Sequence, residues 1–139
     1  MSLIQHAFME KGRVPSRAQW QQAIDNLGRD LTLDPDLTPN EDSGFLPCKL
    51  NGNQSGFEIY YEPAAEYIST YTDLQKKIGK RDWCITFRWG GDMAECACVL
   101  IASAALIDSS DAIIHYPDDN LFYDKATTLS EIDACMKEI

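Results

Sequence analysis

Between Arg81 and Tyr123 the hydrophobic positions change period twice, and each change marks an element. Trp83, Ile85 and Phe87 alternate with Cys84, Thr86 and Arg88, the period of a half-buried strand over 82–88. Gly90-Gly91 breaks that strand. Asp92 then starts a helix, with Glu95 in capping-box position. From Cys96 to Ile107 only Ser103 is polar. A helix so apolar must be wrapped on most sides, so 92–107 is expected to be central and buried. On its wheel Asp92, Glu95, Val99 and Ser103 form one seam, which is either the helix's only exposed line or the floor of a groove, the first being preferred. Asp108–Asp111 closes the helix and 112–116 reads as a strand.

The rest of the chain follows the same logic. Leu3 to Val14 is weakly patterned and predicts an edge strand or an ordered arm. Ser16 with Gln19 makes a capping box, Trp20, Ile24 and Leu27 share one helical face, and Gly28 stands where a C′ glycine belongs. Leu31–Leu33 predicts a short strand. Asp34–Gly44 is an acidic loop with two prolines. Phe45–Tyr61 reads as a hairpin around Asn51-Gly52, with the loop running on to Ser55 and with Pro47 on an edge. Pro63 suits the first position of a helix, and Thr72 with Gln75 restarts one that ends at Gly79. After Pro117–Asn120, Leu121–Tyr123 closes a second hairpin. Thr128 with Glu131 predicts the capping box of a last helix carrying Leu129, Ile132 and Met136. The fold expected is α+β: one domain over 1–139, a mostly antiparallel sheet of about five strands, and helices packed on it.

Charge narrows the partners. The formal net charge of −10 disfavours nucleic acid and anionic membrane. The acids crowd the loop after Asp34, whereas Lys76, Lys77, Lys80, Arg81 and Arg88 make a small positive spot. The central apolar run is read as too short for a membrane span. Residues 1–24 hold no apolar run of the signal-peptide kind, so a reducing cytoplasm and free thiols are expected for the five cysteines.

Candidate chemistry is sparse. Asp92 and Glu95 would themselves occupy the positive helix end and repel a phosphate, so capping is preferred to ligand binding there. Cys96 and Cys98, two apart on a helix, point to different sides and are read as small hydrophobes. No CxxC or HExxH spacing is present, so neither a metal nor a cofactor is expected. His115 could pair with Cys84 or a carboxylate as a general base, although a structural role is preferred. Glu58, Glu62 and Glu66 offer carboxylates at unfixed distances. Tyr60, opposite in parity to Phe57, Ile59 and Tyr61, and Trp89, beside Gly90, are candidate surface anchors.

Ser43-Gly44-Phe45-Leu46-Pro47, then Gly52, Ser55-Gly56-Phe57-Glu58 and Phe87-Arg88-Trp89-Gly90-Gly91-Asp92 together resemble a family of small uncharacterised bacterial proteins. Some of these stand beside polymorphic toxins and are treated as their immunity proteins. The resemblance implies a cytoplasmic protein that neutralises a partner by binding, and it brings no catalytic residues. The expected function is therefore protein–protein binding, with a basic toxin as the partner class. The expected surface is Asp34, Asp36, Glu41, Asp42, Glu58, Tyr60 and Trp89. The alternatives are a small enzyme or ligand-binding domain with a site at Asp92, Glu95 and His115, or an accessory protein of a mobile element.

Overall fold

The computed structural model describes residues 2–71 and 73–139. The expected helix restart at Thr72 lies outside them. In chain order the elements are β1 (Leu3–Met9), α1 (Arg17–Asn26), β2 (Leu31–Leu33), β3 (Gly44–Leu50), β4 (Asn53–Pro63), α2 (Ala65–Ile68), α3 (Leu74–Ile78), β5 (Trp83–Trp89), α4 (Met93–Ser110), β6 (Ile113–Tyr116), β7 (Leu121–Tyr123) and α5 (Lys125–Lys137). The α+β class is as expected. The sheet has seven strands rather than about five, in the order β2-β3-β4-β5-β1-β6-β7, and the neighbours are antiparallel.

The largest correction concerns β1. The stretch expected at an edge is an inner strand between β5 and β6, and Gln5 to Met9 are all buried. Its alternation is invisible because both of its faces are covered, and its two polar residues have partners. Gln5 Nε2 donates to Ser103 Oγ at 2.8 Å, and His6 Nδ1 bonds Thr86 Oγ1 at 3.0 Å. Each bond offsets the cost of burying a polar group.

Helices α1, α4 and α5 cover one face of the sheet. α4 starts on its Asp92 cap, whose side chain accepts from Glu95 N, and ends where Asp111 turns left-handed at φ 53°. It continues past the expected stop to Ser110. The residues from Ala97 to Leu106 are all buried. The seam read as its exposed line is therefore wrong beyond Glu95: Val99 and Ser103 are 0 % exposed. Wheel position cannot tell solvent from a neighbour when α1 and α5 flank the helix and strands lie beneath it. The helix is also long and apolar enough, by length and composition alone, to cross a membrane. Here its apolar surface is taken up by the sheet, α1 and α5.

Several local expectations hold. Ser16 and Gln19 form both arms of a capping box, and Gly28 adopts φ 74°. Asn51 and Gly52, both left-handed, close a two-residue hairpin, so β4 already begins at Asn53 and the longer loop through Ser55 does not form. Others are corrected. Pro63 ends β4 instead of starting a helix. β3 is an inner strand, but β2 pairs only with Cys48–Leu50, so Pro47 lies just past the end of that neighbour. α5 is capped by Asp124, which accepts from Thr127 N at 2.7 Å, and Thr128 sits inside the helix. The loop covers 34–43, since Gly44 already pairs in β3, and it is tied to the body of the fold. Leu37 is buried in the main core, the Asp34 carboxylate accepts from Asp36 N, and the Asp42 carboxylate accepts from Thr38 N.

Candidate functional site

The face of the sheet turned away from α4 carries the densest polar chemistry. Pleating and register put Tyr60, Thr86, His6, His115 and Phe122 directly opposite one another, in one row across β4, β5, β1, β6 and β7. A parallel row holds Phe45, Glu58, Arg88 and Ile4, and another holds Glu62, Cys84, Phe8 and Ile113. The short helices α2 and α3 cover the far side of this face. Leu74, Ile78 and Ala64 form a second small core with Phe8 and Cys84, joined by Tyr67, Ile68, Tyr71, Ile113 and Phe122.

Where α2 stops short, a cleft of about 310 Å³ opens, lined by His6, Tyr60, Glu62, Tyr67, Thr86 and Arg88, with Tyr71 and Asp118 among the remaining walls. The Tyr67 ring lies 4.2 Å from the His6 ring, and its hydroxyl donates to Glu62 Oε2 at 2.6 Å. The Cys84 sulfur lies 3.5 Å from Thr86 Oγ1. His6 Nδ1 and Thr86 Oγ1 share one hydrogen bond, and the ring's tautomer sets which of them donates. Burial, then the nearby His115 ring, pushes His6 down to about 4 against an opposing pull from Glu62. His6 is therefore neutral at physiological pH. Cys84 lies 3.4 Å from the same imidazole nitrogen, but it is wholly buried and its thiol is pushed up by desolvation. A protonated thiol without solvent access is a poor nucleophile. The cleft thus offers the His6 imidazole, carboxylates at Glu62 and Asp118, one guanidinium at Arg88 and three phenol rings. Its lining is hydrogen-bonding and aromatic. Among the described residues no group of three or more His, Cys, Asp or Glu side chains is placed to hold a metal ion.

No family model, curated protein or solved structure matches this chain.

Beside the cleft the second face lies bare. Phe45 is 66 % exposed, and its ring lies over Gly56 on β4. Pro47, Lys49, Gln54 and Arg88 are exposed around it, and Glu58 and Tyr60 are half-buried, joined by a 2.5 Å bond from the Tyr60 hydroxyl to Glu58 Oε1. Accepting that hydrogen bond, Glu58 holds the Tyr60 phenol above its ordinary range.

The residues expected to act together divide between the two sides of the sheet. Glu58 and Tyr60 lie on the bare face. The loop bearing Asp34, Asp36, Glu41 and Asp42 packs on the other side, where Leu37 enters the helix-side core and Asn40 accepts from the Trp83 indole at 2.9 Å. Trp89 is corrected as a surface anchor: it is 5 % exposed and belongs to the main core. Strand parity did point it away from Arg88, but that side is the helix layer. The alternative site is also divided. Asp92 and Glu95 cap α4 on the helix side, with Glu95 Oε1 accepting from Gly90 N at 3.2 Å. His115 faces the opposite side, wholly buried, its Nε2 bonded to Asn120 Oδ1 at 2.8 Å and its Nδ1 unpartnered among the described residues. Cys84 pairs with His6, not with His115. Sequence reasoning passed over His6, Thr86, Tyr67 and Arg88 as a group. The parity of β4 and β5 assigns Tyr60, Glu62, Thr86 and Arg88 to one face, but only the unexpected β1 pairing brings His6 to them.

Proposed function

We propose that this protein acts by binding another protein, and that its docking surface is the bare half of the second sheet face together with the mouth of the cleft. The observation that carries the proposal is Phe45, an aromatic ring held 66 % exposed on the sheet surface among Lys49, Gln54, Glu58 and Arg88. An aromatic residue with Tyr60 nearby and charged residues around it has the make-up of an interface centre and rim. The partner is a basic protein. A net charge of −10 attracts such a partner over a distance and accelerates capture. The family resemblance read from the sequence makes that partner a toxin encoded beside the chain, neutralised by occlusion. The acidic loop on the other side then contributes long-range steering rather than contact.

The test is binding of the full chain to the product of the adjoining toxin gene. Phe45→Ala and Tyr60→Ala should each weaken binding by about tenfold or more through faster dissociation, the usual scale for a contact anchor. Neutralising Asp34, Asp36, Glu41 and Asp42 together should slow association and flatten its salt dependence, with dissociation unchanged. Parental affinity in both aromatic variants would refute the docking surface. A second reading, in which the chain binds a small hydrogen-bonding ligand, is favoured by the cleft at His6 and Glu62. Under it, Phe45→Ala leaves binding intact and Glu62→Gln abolishes it.

A further inference from the structure

Four of the five cysteines meet in two pairs that no sequence spacing announces. Cys96 and Cys98 leave α4 in different directions, and each reaches a cysteine on another element. Cys98, wholly buried, lies beside Cys48 of β3. Cys96, half-buried, faces Cys135 of α5, with the two sulfurs 3.3 Å apart. A disulfide needs about 2.05 Å between sulfurs, so the two have about 1.2 Å to close. Both residues sit in terminal turns, Cys96 in the first turn of α4 and Cys135 in the last turn of α5, where the backbone has most room to adjust.

We infer that Cys96 and Cys135 form an oxidisable dithiol that closes to an α4–α5 disulfide when a small peroxide is the oxidant. The chemistry balances as two thiols and one hydrogen peroxide giving one disulfide and two waters. The Cys96 sulfur, the more exposed of the pair, attacks one peroxide oxygen as its thiolate. The O–O bond breaks, Cys96 becomes a sulfenic acid, and the departing hydroxide takes the thiol proton as the first water. The Cys135 thiolate then attacks the Cys96 sulfur. The S–S bond forms, the S–O bond breaks, and the second hydroxide leaves with the Cys135 proton as water. The two sulfurs lose two electrons and the peroxide gains them.

Two features set the selectivity and rate of this reaction. Cys48, Cys98 and Cys135 are 4 %, 0 % and 4 % exposed, so the half-buried Cys96 is the first of the four that the oxidant reaches. Burial, then the Cys135 contact and Glu131, pushes the Cys96 thiol up to about 12. Closure is therefore slow near neutral pH and accelerates as pH rises, because only the thiolate reacts. Once closed, the bond ties residues 39 apart in sequence and pins the C-terminal helix to the central one.

The experiment treats the full native chain with hydrogen peroxide near pH 7 and near pH 9, quenches, denatures, alkylates the remaining thiols and measures mass and peptide map. The expected product is a monomer lacking two hydrogens, with one Cys96–Cys135 cross-link, three alkylatable thiols, a higher urea midpoint, faster formation at the higher pH, and full reversal by dithiothreitol. Cys135→Ser should leave a Cys96 sulfenic acid that a dimedone probe traps. Cys96→Ser should abolish both cross-link and trap, so a folding failure in one variant leaves the other decisive. Five alkylatable thiols after treatment, a Cys48–Cys98 cross-link formed first, or disulfide-linked dimers as the main product would each overturn the assignment.

Discussion

Acid should destabilise this protein through His6, and replacing that residue should remove much of the sensitivity. The ring is 3 % exposed, and burial, the neighbouring His115 ring and the opposing Glu62 together bring its folded value to about 4 from the ordinary 6.5. The folded state therefore favours neutral imidazole, whereas the unfolded chain takes up a proton near its ordinary value. The stabilisation is fully present above about pH 6.5 and is lost as pH falls from there towards about 4. At about pH 5 the unfolded imidazole is almost fully protonated and the folded one about one-tenth so, a difference of about 2 kcal/mol relative to about pH 8. By about pH 4 the loss reaches about 3 kcal/mol. His115 is shifted in the same direction, chiefly by burial and partly offset by its bond to Asn120, and adds to the trend. The assay is urea unfolding followed by tryptophan fluorescence at about pH 8, 6.5 and 5 for the parent and His6→Asn, whose amide occupies the place of Nδ1. The parent midpoint should fall by about 1 M between the extremes, given ordinary urea slopes for a domain of this size. The variant starts lower and falls much less. Parallel loss in parent and variant would refute the reasoning and move the acid response to other groups.

Three further outcomes follow from packing and capping, each read in the same unfolding assay near pH 7. Gly56→Ala places a Cβ 2.7 Å from both the Leu46 carbonyl oxygen and Cε1 of Phe45; the ring can swing aside and the carbonyl cannot, so a loss of about 1–3 kcal/mol is expected, only partly restored by Phe45→Ala. Asp92→Ala removes the acceptor of the Glu95 amide, 3.1 Å away, and should cost about 1 kcal/mol with partner binding unchanged. Leu106→Ala, at a wholly buried position of α4, should cost about 2–5 kcal/mol, whereas a loss below 1 kcal/mol would contradict the central place of that helix.

Local physics was readable wherever a residue acts on its own neighbourhood. The Ser16–Gln19 box, the Asn51-Gly52 turn and the Asp92 cap are contacts within five residues of sequence, so spacing alone specifies them. The burial of α4 was readable because from Cys96 to Ile107 only Ser103 is polar. What depended on distant pairing was not readable. A strand covered on both faces, with polar residues bonded across the fold, has no alternation to detect, so β1 was misplaced, and with it His6. Trp89 shows the same limit: parity assigned it a side, but only the packing of α1, α4 and α5 decided that this side is the core. The division of the acidic loop from Tyr60, the meeting of His6 with Thr86 and Cys84, and the pairing of Cys96 with Cys135 all join residues far apart in the chain. Such contacts follow from strand order and helix docking, global choices made by burying the most apolar surface at once, and no single stretch of sequence carries them.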